Sequence, residues 1–597
     1  MTASPAWGEL GTRLLATESA AWPVMLVLAL FGAGLAATAA RWPKALAPVL
    51  VGVAGLLGLG FVVQQASLVD DAFISFRHAD NLLSGHGLVW NPGERVEGIT
   101  NLGWTVLLAV GWALLPGSIE HVALIACGLS WLLVGGLLLG LSRTLHDRPD
   151  PAGPWVPWAA GLALVHHFLT SFATTGLETE FTAVLLLAGL LAWLRGRPGW
   201  ASLIWMIGVV VRLDQALFWG MGFVATALEA WPRRDAARML RYLAPLGLLA
   251  VVLLGKLAFY GDIMPNTYYA KSAGQTYVSY GLFYMSASYV AGHLWLLVGP
   301  AVAWVALARG DEQRFAALVG AMGVVWHAYV LKVGGDFMLG RFFVVMVPLL
   351  LLAAERTFAH LHGRRPALAI ALGALLLGSA RGVPLVEPRH IQMGLADEGT
   401  IYPVVSWSPL VVDHSNFYAG QAFGTHLEQR GIVFPLATSG IGMLGFYSRM
   451  PVIDLLGLTD PLVARQPVTQ RGRPGHEKHP PPGYLDKRGV VLERSKKRSK
   501  WDAVREISLP PPWRSRRRWL LRRYDRALIE RWRTEAPELP VADFDRFYRE
   551  GYLPTVPSLS RDQLTADLSF LDRFYWDVNG RDARLAELVA ELEGRSP

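Results

Sequence analysis

Charge is scarce in this chain. Of its 597 residues only 17% are Asp, Glu, Lys or Arg, where a soluble protein carries about 25%. The shortfall argues against an ordinary water-soluble chain. Cysteine is nearly absent as well: Cys127 stands alone, so no intrachain disulfide can form. Inside an apolar run it reads as a packing residue. No His/Cys/Asp constellation has the spacing of a strong metal site. No internal repeat of the kind many transporters carry is visible.

Apolar residues are abundant. The chain is 52% hydrophobic with 23 tryptophans, and its mean hydropathy is +0.33. Residues 1–380 are a succession of apolar runs, whereas residues 381–597 hold more than half of all charges. This asymmetry predicts a polytopic α-helical membrane domain followed by one water-facing domain. Runs of spanning or near-spanning length fall at 22–40, 45–66, 121–142, 155–171, 180–194, 199–212, 216–230, 242–260, 282–308, 315–332, 341–355 and 366–380. Several are shorter than the ~20 residues of a straight span, as shortened helices are. The run 102–116 ends at Pro116-Gly117 and reads as interfacial or re-entrant. The first run follows Glu9, Arg13 and Glu18, a poor leader for a signal peptide. It reads as a retained helix, although the ATAA at its end leaves cleavage open.

Basic loops set the orientation. RWPK (41–44), SRTLHDR (142–148), RGR (195–197), PRRDAARMLR (232–241), ARGDEQR (308–314) and ERTFAHLHGRR (355–365) belong on the cytoplasmic side. Twelve spans place all six together there, with residues 381–597 on the outer face. The net charge of +8 is then explained by these loops and a basic tail, not by nucleic-acid binding. The opposite loops differ in kind. VDDAFISFRHADNL, FATTGLETE, VRLDQ, YGDIMPNTYYAK and KVGGDFMLGR crowd ionisable groups against the membrane edge, where they are costly and hence functional candidates.

The first outer loop, about 67–120, carries the densest signal. Val69, Ala72, Phe73, Phe76, Ala79, Leu82 and Leu83 form the stripe of an amphipathic helix. Asp71, Ser75 and His78 share the other face. Such a helix would lie along the interface with that polar face toward water. Asp70 and Asp71 then have two readings: caps that complement the helix dipole, or an acid/base pair whose members push their pKa values apart. The loop that follows carries Trp90, Glu94, Arg95 and Glu97, and loops this long are usually functional or disordered.

The stretch DDAFISFRHADNLLSGHGLVWNPGERVEGITNLGWT resembles the first outer loop of the GT-C glycosyltransferases of the terminal β-(1→2)-arabinofuranosyltransferase (AftB) family, some members of which carry the label ZomB. The likeness continues through GLETE (176–180), YGDIMPNTYYAK (260–271) and GGDFMLGRF (334–342), and more weakly through DLLGLTD (454–460) and PGHEK (474–478). It assigns the GT-C type to the membrane catalytic domain over 1–380, which the apolar runs give about 12 helices, ahead of an extracytoplasmic domain over 381–597 that the short strand-like stretches make mixed α/β and suited to helping bind acceptor. It also implies an inverting glycosyltransferase of the bacterial cytoplasmic membrane. The donor is a polyprenyl-phosphate sugar, arabinofuranose first, and the acceptor an extracytoplasmic glycan.

In that family an aspartate of the first outer loop is the general base, a role that maps onto Asp70 or Asp71. The motif does not choose between them. The leaving phosphate needs cations, for which Arg77, Arg95, Lys271, Arg341, His476 and Lys478 are candidates, or else a divalent cation. Each also reads as an interfacial anchor or loop charge. Asp262 and Asp336 stand beside glycines as turn caps or as substrate or cation ligands. His78, Glu94, Glu97, Asn101, Glu178, Asn266, Tyr269 and Glu477 complete the candidate substrate contacts. Two rival readings are a lipid-linked-sugar flippase, which twelve spans also suit, and a non-enzymatic protein of flagellar motor control. Polar clusters confined to one side and a carboxylate pair favour the enzyme.

Beyond 380 the periodicity shortens. YPVVSW, GIVFPLAT and MPVIDLLGL read as strands bounded by turn formers, and ADFDRFYREG and GRDARLAELVAELEG as helices. ERSKKRSKWDAVRE and PPPWRSRRRWLLRRYDR are basic, Trp-containing stretches suited to anionic lipid headgroups or to solvated surface.

Overall fold

The computed structural model describes residues 43–147, 155–272, 274–362, 385–386, 389–392, 394–469, 471–495, 499–509, 518–580 and 583–594. The runs expected at 22–40 and 366–380 lie outside these residues. Among the described residues three helices are long and apolar enough to cross a membrane: Ile119–His146, Ala236–Tyr260 and Gly310–Val333. Four shorter apolar helices, Pro48–Gln64, Leu102–Leu114, Thr179–Leu194 and Pro198–Val211, accompany them. The chain is thus an integral membrane protein, and among the described residues these helices are the ones whose length and composition fit the membrane.

Two expected spans are not continuous helices. The run 155–171 divides into Trp158–Val165 and His167–Phe172, because His166 leaves helical geometry and its ring accepts a hydrogen bond from the Phe168 N–H at 3.2 Å. The run 282–308 divides into Val278–Ala291 and Trp295–Leu307, bent by 95° at His293, whose φ is 52°. In both cases a residue in non-helical geometry marks the break.

Five helices position the site: α1 (Asp70–Leu83), α2 (Thr179–Leu194), α3 (Ala216–Ala230), α4 (Gly310–Val333) and α5 (Gly442–Ser448). α4 has Asp311 and Glu312 in its first turn and Lys332 in its last, the charges that a helix dipole favours at each end. It stops at Gly334 (φ 86°) and Gly335 (φ 72°). A Cβ on Gly335 would sit 2.3 Å from the Tyr284 ring, so only glycine lets the chain turn here and deliver Asp336.

Beyond residue 430 a five-stranded sheet forms from β1 (Leu436–Thr438), β2 (Val452–Asp454), β3 (Leu492–Ser495), β4 (Glu506–Ile507) and β5 (Arg518–Leu521), in the order β2-β1-β3-β5-β4. β1 runs parallel to β2 and β3, while β5 is antiparallel to β3 and β4. α5 connects β1 to β2 and lies against α1, which joins the α/β region to the helical one.

That packing overturns one expectation. α1 does not show a polar face to water: Ser75, Arg77 and His78 are all buried. Arg77 donates to the carbonyls of Trp90, Gly445 and Met450 and to Asn91 Oδ1, with distances of 2.7–3.2 Å. Its guanidinium also lies 4.4 Å from the centre of the Trp90 ring. The α/β region occupies the side of α1 that amphipathicity alone assigns to solvent.

Candidate active site

The backbone entering α1 is pinned on both sides. Leu68 N–H donates to Tyr402 C=O, Val404 N–H to Ala66 C=O, and Val69 N–H to Thr175 C=O. The first turn of α1 therefore stands where the α/β region, the GLETE loop and the helical region meet.

The two aspartates do different things there. Asp70 accepts hydrogen bonds from the backbone N–H of Gly442 and Met443, each at 3.0 Å, and from Asn416 Nδ2 at 3.1 Å. Its carboxylate holds the start of α5. A Cβ on Gly442 would fall 1.7 Å from the Asp70 carbonyl oxygen, so the approach depends on that glycine. Asp71 is half-buried, and among the described residues its carboxylate has no hydrogen bond or ion pair. Burial raises its pKa, Lys271 and Arg341 oppose the rise, and Asp70 and Asp336 reinforce it. One carboxylate is consumed by structure; the other is left free among charges.

Those charges come from distant segments. Arg341 is gripped by Glu178 at 3.1 Å and Asp336 at 3.2 Å. Glu178 also receives Asn101 Nδ2 at 2.8 Å and approaches Arg212 at 3.5 Å, and Ser75 Oγ donates to Asn101 at 3.1 Å. Burial alone would raise the Glu178 carboxyl, but Arg341 and Arg212 hold it below the usual range. Burial likewise works against the ionised form of Asp336, which Arg341 and Lys271 keep low. Lys271 has no ion-pair partner among the described residues, and the Arg341 Nε–H is buried without an acceptor. His476 packs edge-on to Phe337 at 5.2 Å, with its imidazole lowered to about 4 by burial and by Arg473. It is neutral at physiological pH.

The α/β region adds groups that the sequence reading did not single out. Glu398 is buried with Arg473 at 3.8 Å. Burial first, then Asp71, pushes its carboxyl up to about 8. Arg473 lies 4.1 Å over the Phe337 ring, and its Nε–H is also buried without an acceptor. Nothing in ADEGT (396–400) marks Glu398, since its perturbation arises only from burial beside Asp71. Arg473 directly precedes PGHEK in the sequence, and that adjacency is the signal that marks it.

The remaining candidates lie in the joints between loops. Glu94 pairs with Arg488, Arg95 stacks 5.3 Å from Phe259, and Glu97 pairs with Lys256 at 2.9 Å. Asp262 accepts from Tyr269 at 2.8 Å and pairs with Arg465 at 3.3 Å. Asn266 donates to the carbonyls of Gly457 and Leu458. Glu477 pairs with Arg471 at 3.1 Å, and Lys478 donates to the carbonyls of Tyr269 and Ala464. His78 bonds Ile74 C=O at 2.7 Å, wholly enclosed. The contacts of Glu94, Asp262, Asn266 and Lys478 tie loops of the helical region to the α/β region. Among the described residues no group of three or more His, Cys, Asp or Glu is placed to hold a metal ion.

A polar, ion-paired site between apolar helices and a sheet-containing region defines an integral membrane protein with a carboxylate-and-cation centre. The relatives are more specific. The chain is 33% identical over 427 residues to the terminal beta-(1->2)-arabinofuranosyltransferase of Mycobacterium tuberculosis, covering 62% of this chain and 65% of that protein. It is 24% identical over 516 residues to the terminal beta-(1->2)-arabinofuranosyltransferase of Corynebacterium glutamicum, covering 68% of this chain and 72% of that one. The chain thus spans just under two thirds of the length of the mycobacterial relative. The expected resemblance to terminal β-(1→2)-arabinofuranosyltransferases is borne out. Residues 412–532 match a family described as a domain of unknown function (DUF8728). Two structures of ArnT from Cupriavidus metallidurans, one bound to undecaprenyl phosphate and one in the apo state, align at 14% identity. Their TM-scores are 0.47 and 0.46, each over 79% of this chain and 97% of that one.

Proposed function

We propose that this chain is a GT-C glycosyltransferase that moves a sugar, arabinofuranose first, from a polyprenyl-phosphate donor to an extracytoplasmic glycan, with Asp71 as general base. The observation that carries the reading is the division of labour within the carboxylate pair. Asp70 is saturated by N–H donors, while Asp71 is unbonded beside Lys271 and Arg341. A base must be free to receive a proton in hydrogen-bond reach of its substrate.

The acceptor hydroxyl oxygen forms a bond to the anomeric carbon as its proton passes to the Asp71 carboxylate. The bond between that carbon and the phosphate oxygen breaks, and its electron pair leaves on the polyprenyl phosphate. Lys271 and the unpaired N–H groups of Arg341 and Arg473 supply donors for the charge that develops there. Arg341 stays fixed through Glu178 and Asp336, so it need not reorganise as the charge appears. The neutral imidazole of His476 adds bulk beside Phe337 without adding charge. A single displacement of this kind inverts the anomeric centre, and comparing donor and product configuration tests that step separately.

The experiment is to offer the purified protein a panel of polyprenyl-phosphate sugars with a glycan acceptor and to follow donor consumption and product linkage. Consumption of the arabinofuranose donor is expected. Consumption of none, with intact donor moved across a vesicle bilayer instead, would support the flippase reading and overturn this one.

A further inference from the structure

Far from Asp71, the helices that end at the site leave a second feature. α2 and α3 begin beside Glu178 and Arg212, and α4 ends just before Asp336, so their other ends lie together on the opposite side. There they enclose a cavity of about 580 Å³, within the range of small-molecule sites. Trp193 of α2, Met221, Val224 and Leu228 of α3, and Leu318 and Ala321 of α4 line it, with Arg233 and Arg314 also on its wall. At ~1.5 Å per residue, the 16-residue α2 sets it roughly 24 Å from Glu178.

The charge of this mouth is positive. Glu229 is neutralised by Arg238 at 2.5 Å. The Arg314–Asp311 pair at 3.2 Å is solvent-exposed on both sides, and such pairs hold weakly. Arg233 has no side-chain partner among the described residues. Trp231, 86% exposed, stands beside it, as tryptophans do at headgroup level. An apolar slot that opens on two arginines fits a phosphate bearing hydrocarbon tails.

We propose that this cavity is a binding site for an anionic phospholipid, with acyl chain against α3 and α4 and phosphate between Arg233 and Arg314. The site is separate from Asp71 and stands whether or not the transfer reading holds.

Native mass spectrometry of the full-length protein in detergent tests it, with phosphatidylglycerol and phosphatidylcholine offered at equal concentration. Phosphatidylglycerol is expected to be retained at least about fivefold better, since each arginine near an anionic headgroup contributes roughly that factor. R233A/R314A should erase the preference and R233K/R314K should keep it. Cys127 is buried, so an Ala225→Cys variant reports on occupancy. A membrane-permeant maleimide should label this variant once it is delipidated, and phosphatidylglycerol should slow the labelling. Equal retention of the two lipids, or retention unchanged in R233A/R314A, overturns the proposal. So does displacement by equimolar polyprenyl phosphate. An Ala225→Cys protein that stays unlabelled after delipidation means that another part of the chain fills the cavity, and overturns it equally.

Discussion

Glu398 shows how a single side chain can couple the site to pH. Its carboxyl is pushed from the ordinary 4.5 up to about 8 by burial and by Asp71, so the native state binds this proton more tightly than the unfolded chain does. The stability it contributes is complete below about pH 4.5 and is lost as pH rises toward about 8. Glu398→Gln, which stays neutral, should flatten that part of the stability curve. Thermal unfolding at pH 5 and pH 8.5 reads it: the wild type should lose stability between the two, and the variant should lose clearly less. In the proposed mechanism the raised carboxyl of Asp71 acts on rate. A base works only when deprotonated, so activity should climb with pH through its pKa and fall away on the acid side. Glu398 could not have been chosen from sequence, because a buried carboxyl looks like any other acid in a polar stretch. The Asp70–Asp71 pair was legible, but the choice between its members was not. Successive helical residues differ by about 100° in direction, and only the position of α5 says which direction meets N–H donors.

At the scale of elements, α1 was readable as a helix from its apolar spacing, and its burial was not. Amphipathicity tells a helix to cover one face; it does not say whether water or another segment of the same chain takes the other. Arg77 and Asn91 show the answer by reaching the carbonyls of Gly445, Met450 and Val452. The joint between α1 and α5 should therefore be sensitive to small changes. Gly442→Ala places a methyl 1.7 Å from the Asp70 carbonyl oxygen, and relieving the clash requires α5 to move. An overpacked contact of this kind costs about 1–3 kcal/mol or more. Limited proteolysis should show the α/β region released or more readily cut, and transfer should fall with it. An unchanged digestion pattern would mean that α5 tolerates the shift.

For the whole molecule, the apolar runs record where helices form, and the polar loops record which segments gather. GLETE, YGDIMPNTYYAK and GGDFMLGRF do converge with α1, through Glu178, Lys271, Asp336 and Arg341. The runs were a poorer guide to continuous spans, since His166 and His293 break two of them without lowering mean hydropathy much. The basic loops predict an orientation, and that expectation has a direct check. A membrane-impermeant maleimide applied to intact cells should label a cysteine placed at exposed Arg549, in the α/β region, and spare one placed at Arg233. The reverse pattern would put the site on the cytoplasmic face.

In the proposed mechanism Asp71 takes the acceptor proton while Asp70 holds the fold. Single-turnover transfer from polyprenyl-phosphate arabinofuranose, measured for wild type, Asp71→Asn and Asp70→Asn together with their thermal midpoints, tests it most directly. Asp71→Asn should lower the rate by at least about 100-fold, the scale of a lost general base, with a midpoint no lower than that of the wild type, because the buried charge it removes is itself costly. Asp70→Asn should lower the midpoint, in keeping with about 1–3 kcal/mol for disturbed buried hydrogen bonds, and slow transfer less. A folded Asp71→Asn protein that transfers at the wild-type rate would contradict the account.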